Sequence, residues 1–576
     1  MKIVGRLWKR LIKYRLALLF LFFLVVVADI LSLFTPLLSG YAVDAIVDHP
    51  SGVDFAGVFR NCALMIACYA LSAGLSYLTS VRLIRLGQDI SFDLRQEVFR
   101  RLSSLPVSYF DTHPAGDIIS RICYDIDTVN ATISTDLLQV CTSFVTVVGS
   151  IVMLLSISPV LCLVFAVTVP ISMLFSKRQM KKLQPKYRKR SAMLGEMNGF
   201  VEENVAGQKT VRAYGREDAM VALFDKKNDA ATEAFYRADY DSCILGPMVN
   251  FINNLSLSFI SVFGAVLYLV GRISLGSLSS FVLYSRKFSG PIREAANILS
   301  ELQAAAAAAE RVFDLIDAAP EQADAPDALP LHNVSGHVCF DDVAFGYTKD
   351  RTVLTDLNVD VAAGSLVAVV GPTGAGKTTI VNLLMRFYDA DRGSITVDGR
   401  DVKQLVRADL RRAYAMVLQE TWLFYGTIFE NIAYGREGAT MEEVVAAAKA
   451  AHIHDYILSL PQGYDTLLTD DGVNISKGQK QLLTIARAML IDANMLILDE
   501  ATSNLDTGTE LDVNAAMEAL MRGKTCFVIA HRLSTIQNAD TILVISGGRL
   551  VEQGTHASLL NAGGVYADLY QSQFVI

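Results

Sequence analysis

The chain has 576 residues, 52% of them hydrophobic, and a mean hydropathy of +0.36, which is too apolar for an ordinary water-soluble enzyme of this size. A formal charge of −8 without a long basic tract gives no reason to expect a nucleic-acid partner. Eight cysteines stand singly with no C-x-x-C pair, which argues against both a disulfide framework and a structural zinc site.

The opening "MKIVGRLWKRLIKYR" carries Lys2, Arg6, Lys9, Arg10, Lys13 and Arg15. It reads as an interfacial helix rather than a signal peptide, because no small-residue cleavage site follows a short apolar core. Six stretches then reach the roughly 20 residues a helix needs to cross a bilayer: about 16–43, 57–82, 134–156, 157–177, 243–270 and 275–298. "SISP" is the only break between the third and fourth. The loop "VDAIVDHPSGVDFAG" after the first span has no Lys or Arg, so the bias of basic residues places the N-terminus in the cytoplasm. The charged stretches from about 83 to 133 and 178 to 242 are expected to be helices running on into the cytoplasm.

Two polar groups interrupt the spans. Asn250, Asn253 and Asn254 lie in the fifth, with at least two on one face, and suit substrate contact or interhelical hydrogen bonding equally. Arg286 and Lys287 lie near the middle of the sixth, where facing lipid would cost either of them roughly 2.5–3.5 kcal/mol. Adjacent residues point about 100° apart on a helix. One can therefore face a central cavity, with Arg286 the choice, while the other snorkels or pairs with an acid. An ion pair between helices or subunits is the alternative.

After the sixth span "AAAAAAERVFDLID" continues the helix, and "AAPEQADAPDALP", residues 318–330, suits an exposed linker. From about residue 336 strands and helices alternate. The expected organisation is a six-helix membrane domain over 1–317, a linker over 318–335 and an α/β P-loop domain over 336–576.

Within that last domain "LVAVVGPTGAGKTTIVNLLM" is a buried strand, a G-x-x-x-x-G-K-T loop from Gly371 to Thr378, and a helix. Glycines let backbone amides wrap phosphate oxygens, Lys377 reaches the outer phosphates, and the Thr378 hydroxyl suits Mg2+. A second strand, "NMLILDEATSNLD", ends in Asp499 and Glu500, an odd finish unless the acids face a cation or a reacting water. Asp499 suits Mg2+, and Glu500 is placed to polarise the attacking water. Two more strands, "AYAMVLQ" and "TCFVIAHR", end in Gln419 and His531. Together the four strand ends suggest one active edge of a sheet.

As a set these motifs resemble an ABC transporter half-subunit of the exporter type over the whole chain. The resemblance implies that "GPTGAGKTT" is Walker A, with Thr373, Gly374, Ala375, Gly376 and Thr379 joining Gly371, Lys377 and Thr378 around ATP. It makes "MLILDE" Walker B and Gln419 the Q-loop glutamine, at the nucleotide and its Mg2+. Asp506 belongs to the D-loop, His531 is the switch histidine, and Tyr347 in "VAFGY" stacks on adenine. "FDTHPAGDIISRI" and "VRAYGRED" resemble the intracellular loops that meet the nucleotide-binding domains.

The family signature, usually L-S-G-G-Q, is "ISKGQ" here: Ile475, Ser476, Lys477, Gly478 and Gln479. On its own residues the stretch is a capping box, with Ser476 as N-cap and Gln479 three residues on, opening a helix whose apolar face includes Leu482, Leu483, Ile485, Ala486, Met489 and Leu490. In the family it completes ATP binding on a partner subunit, so a dimer is implied. Lys477 in place of glycine either blocks the close approach of the loop to phosphate or offers its ammonium to the nucleotide. An altered signature beside intact Walker motifs favours a heterodimer with a second half-transporter over a homodimer. The family implies ATP-driven transport of a hydrophobic or amphipathic small molecule through the bilayer, with export favoured. An importer, for example of a siderophore, or an ATP-gated membrane protein that does not pump are the alternatives.

Overall fold

The computed structural model describes residues 2–47, 53–418, 421–468, 474–499, 507–530 and 533–574. The chain divides into two compact units, Met1–Ser103 with Ala115–Ala318, and Ser104–Pro114 with Ala319–Ile576.

The first unit is helical. A short helix, Lys2–Lys13, leads into Arg15–Val47, Phe55–Leu102, Leu137–Ile157, Pro159–Ala206, Leu245–Leu269 and Leu275–Asp317. The "SISP" break is built as the sequence suggests, because the Ser158 hydroxyl accepts from Leu161 N and Pro159 takes the first helical position. Two helices of 48 residues each are about 72 Å long at 1.5 Å per residue, more than twice a bilayer core of about 30 Å. Their second halves therefore leave the apolar layer, and charged neighbours hold them: Asp93 of the first pairs with Lys13 at 3.1 Å, and on the second Lys186 pairs with Asp241 and Arg190 with Asp239 at 2.8 Å. Five helices are long and apolar enough to cross a membrane among the described residues. The sixth expected segment, at the start of Leu275–Asp317, is more polar because it carries Arg286, Lys287 and several serines. One buried apolar cluster gathers around Leu33, Leu154, Leu161, Ile260, Phe281 and Tyr284. Most other apolar side chains in these helices are exposed on the chain by itself, as expected where lipid is the solvent.

The second unit is built on a six-stranded sheet. Its order is Arg549–Gly554, Thr541–Ser546, Leu366–Val370, Thr525–Ile529, Met495–Asp499 and Tyr414–Val417, and the last five are mutually parallel. The central strands are buried on both faces, which is why they read as unbroken apolar runs rather than alternating ones. A second sheet orders Leu354–Val361, Val338–Phe345, Arg392–Val397 and Arg400–Asp401.

Residues 318–330 are mostly exposed, and the segment is tied to the α/β unit at several points. Glu321 pairs with Arg411, Asp324 accepts from Arg407 N at 3.1 Å, and Leu329 N donates to Gln404 O at 2.8 Å. Two of its three acids, Glu321 and Asp324, meet arginines of the α/β unit.

Candidate functional site

The strand Leu366–Val370 delivers the chain into the glycine loop. Gly374 and Gly376 have φ of +81° and +106°, a backbone region L side chains rarely adopt. A Cβ on Gly376 would also sit 2.7 Å from Leu354 Cδ2, and one on Gly371 would sit 2.1 Å from Ile545 O. Conformation requires glycine at 374, the approach of Ile545 O requires it at 371, and both conformation and space favour it at 376. The loop ends at Lys377, the first residue of the helix Lys377–Leu384, and opens on a cavity of about 450 Å3. Thr373, Gly374, Gly376, Lys377, Thr378 and Thr379 line one side of it, and Tyr347 and Asp499 also face it. Ala375 is buried behind the loop.

Lys377 folds back so that Nζ donates to Gly371 O at 2.8 Å and Pro372 O at 3.1 Å. Burial lowers its pKa, and the nearby Asp499 carboxylate acts in the opposite sense. A half-buried ammonium held beside a loop of glycine backbone suits a polyphosphate. Thr378 and Asp499 place one hydroxyl and one carboxylate at the same cavity. That fits Mg2+ carried by nucleotide phosphates, since such a site takes only one or two protein oxygens.

Tyr347 is 45% exposed. Its hydroxyl lies 3.2 Å from Thr379 Oγ1 and accepts from Asn382 Nδ2 at 3.0 Å, which fixes the ring at the cavity's edge. Tyr388 meets it edge-on at 5.1 Å and donates its hydroxyl to Asp111. Burial, with Asp111 alongside, raises the Tyr388 hydroxyl well above an ordinary tyrosine. Sequence reasoning missed Tyr388, and its only signal was a third aromatic, in "RFYDA", after the P-loop helix.

Gln419, Glu500, Asp506 and His531 lie outside the described residues. The strands that precede Gln419, Glu500 and His531 are parallel neighbours, in the order Tyr414–Val417, Met495–Asp499 and Thr525–Ile529, next to the P-loop strand.

At the signature, Ser476 caps the helix Lys477–Ile491 through a reciprocal box. Gln479 N donates to Ser476 Oγ at 3.3 Å, and Ser476 N donates to Gln479 Oε1 at 2.9 Å. Leu482, Leu483, Ile485, Ala486 and Leu490 are buried, Gly478 is buried, and Lys477 is exposed. None of Ser476, Lys477, Gly478 and Gln479 lines the nucleotide cavity of their own chain.

In the helical unit Arg286 is exposed, whereas Lys287 is half-buried and donates to Ser32 Oγ at 2.7 Å and to the Ser32 carbonyl. Asp29, one turn before Ser32, interacts electrostatically with Lys287. Asn253 is half-buried, while Asn250 and Asn254 are exposed on the chain by itself.

Two family models follow the order of the two units, except that Ser104–Pro114, which groups with the second unit, falls within the first match. The model described as ABC transporter transmembrane region matches residues 18–292, and the model described as ABC transporter matches residues 354–503. An uncharacterized ABC transporter ATP-binding protein of Bacillus subtilis (strain 168) is 41% identical over 569 residues, covering 99% of this chain and 94% of that protein. The chain belongs to the ABC transporters. The transporter is also 44% identical over 516 residues to a fatty acid ABC transporter ATP-binding/permease protein of Mycobacterium bovis, covering 89% of this chain and 81% of that one. The solved structure of a bacterial Atm1-family ABC exporter with ATP bound matches with a TM-score of 0.78 at 31% identity, over 97% of this chain and 98% of that one. The transporter is therefore an integral membrane ATPase of the exporter type, with a helical membrane domain followed by an α/β ATP-binding domain.

Proposed function

We propose that the transporter is one half of a dimer that uses ATP to export an amphipathic, lipid-like molecule from the cytoplasmic side of a bacterial plasma membrane. The observation that carries the ATP-driven part is the cavity where Lys377, Thr378, Asp499 and Tyr347 converge on a glycine loop. In this reading Tyr347 stacks on adenine, the loop and Lys377 hold the phosphates, and Thr378, Asp499 and Gln419 take Mg2+. Glu500 orients the attacking water as base, His531 reads the γ-phosphate, and Asp506 lies at the subunit junction.

The signature residues cannot serve the cavity of their own chain, which supports a requirement for a second subunit. Lys477 standing exposed beside that cap supports a heterodimer with two unequal sites. The lipid-like substrate class is supported by the mycobacterial fatty acid transporter relative. The helices' large exposed apolar surface, which lipid or a partner covers, is compatible with such a substrate.

The test is transport in proteoliposomes made with this chain alone and with candidate half-transporters, with ATP supplied on either side and labelled fatty acid as the probe. ATP-dependent movement toward the side opposite the nucleotide is expected only with a partner present. Movement toward the nucleotide side would establish import. Nucleotide-dependent ion conductance without fatty acid movement would establish a gate.

A further inference from the structure

The helix Pro159–Ala206 presents one unpartnered face whose chemistry changes abruptly along its length. Leu163, Val167 and Leu174 are 66%, 60% and 68% exposed, and farther along Lys177, Lys181, Gln184 and Arg188 are exposed too. At about 100° per residue all seven fall within an arc of about 100°, so they form one stripe. The apolar part, Leu163 to Leu174, is about 16 Å long at 1.5 Å per residue, close to half of a bilayer core of about 30 Å. The basic part opens on a groove of about 690 Å3, lined by Lys177, Lys181, Gln184 and Arg188 together with Met180 and Tyr187.

The charges on this face have no counter-ions among the described residues. Eight Lys and Arg occur from Lys177 to Arg190 with no Asp or Glu among them. Lys186 and Arg190 turn to the opposite side and pair with Asp241 and Asp239 of the neighbouring helix Glu217–Ser242. Lys177, Lys181 and Arg188 make no ion pair among the described residues. A general excess of basic residues beside a span explains their number. It does not explain a groove aligned with an apolar stripe one leaflet long.

We infer that this stripe is a loading site for an anionic amphiphile, with the acyl chain along Leu163–Leu174 and a carboxylate or phosphate head at Lys177, Lys181 and Arg188. The inference rests on the proposed export of lipid-like molecules and specifies the head group that export selects. Arg188 supplies a planar fork for a bidentate anion, and the two lysines supply point charges one turn apart. A neutral amphiphile gains only the apolar stripe.

The experiment uses the full dimeric transporter in phosphatidylcholine nanodiscs, with spin-labelled stearate and its methyl ester as probes. The combined Lys177→Gln, Lys181→Gln and Arg188→Gln variant is expected to lower the bound acid-to-ester ratio about tenfold, as loss of charge-assisted hydrogen bonds predicts. Exchanging the same positions for the other basic residue (Lys177→Arg, Lys181→Arg, Arg188→Lys) is expected to keep most of the ratio. An unchanged ratio in the glutamine variant overturns the site. So does dissociation of the dimer by light scattering, which would make the stripe a subunit contact. ATP-driven stearate transport that ignores the substitutions, while phosphatidylglycerol displaces the bound label, assigns the face to bulk lipid and overturns the loading role. A wild-type transporter that moves neither probe with ATP would instead count against the export reading.

Discussion

Two helices of the ATP-binding domain begin with a lysine, and the two lysines do opposite things. Lys377 follows a glycine in left-handed conformation and is folded back over carbonyls at the wall of a cavity of about 450 Å3. Lys477 follows an extended serine that caps its helix with its own hydroxyl, and its side chain stands out from the surface. Helix position alone therefore does not assign a role. The preceding loop decides whether the first-turn amides surround a ligand or are partly satisfied by a cap. In the first case the loop and its lysine face a cavity of their own chain, and in the second, on the proposed reading, the cap faces the nucleotide of a partner.

The largest effect expected on the Walker side is that of Glu500→Gln in the assembled dimer. It should lower ATP turnover by about 10²–10⁴-fold, as loss of a catalytic base does, while ATP still binds. Normal turnover in a steady-state phosphate-release assay would remove Glu500 from that role.

Lys377→Ala strikes binding itself. Affinity measured with a fluorescent ATP analogue should fall by about one to two orders of magnitude, the weight of hydrogen bonds to a charged group. Because burial lowers the Lys377 pKa, its charge is lost at lower pH than an ordinary lysine near about 10.4. Affinity should accordingly fall as pH rises through that depressed value, and Lys377→Arg should shift the fall to higher pH. A flat alkaline profile would disconnect the lysine from the phosphates.

Gly376→Ala and Ser476→Ala compare the two helix starts as structures. The first forces a Cβ into a left-handed position against Leu354 and should cost about 1–3 kcal/mol of domain stability. The second removes a cap worth about 1 kcal/mol. Urea unfolding of the two full-length variants in detergent, followed by a probe in the α/β unit, should rank them in that order. The reverse order would mean the cap, not the glycine turn, is the stricter constraint.

Lys477→Gly should have the smallest effect on the fast ATP site. Nucleotide retention at the slower site should change more than the overall rate, read by single-turnover release from the heterodimer. Equal retention and equal rate at both sites would end the case for asymmetry.

Much of the chemistry was legible in the sequence because it depends on local covalent pattern. Gly374 and Gly376 are needed for backbone angles that other residues resist. Ser158 and Pro159 start a helix by their own geometry, and Ser476 with Gln479 forms a reciprocal cap within four residues. Long apolar runs likewise announce membrane helices, since lipid demands them wherever the rest of the chain goes. Only tertiary structure decided which strand ends meet. Tyr414–Val417, Met495–Asp499, Thr525–Ile529 and Leu366–Val370 are far apart in sequence and adjacent in the sheet. It also decided that Glu321 and Asp324 would find arginines rather than water, that Lys287 would turn to Ser32, and that Asp111 would meet Tyr388. Each is a pairing between distant segments, and a charge or hydroxyl carries no local mark of which partner will reach it.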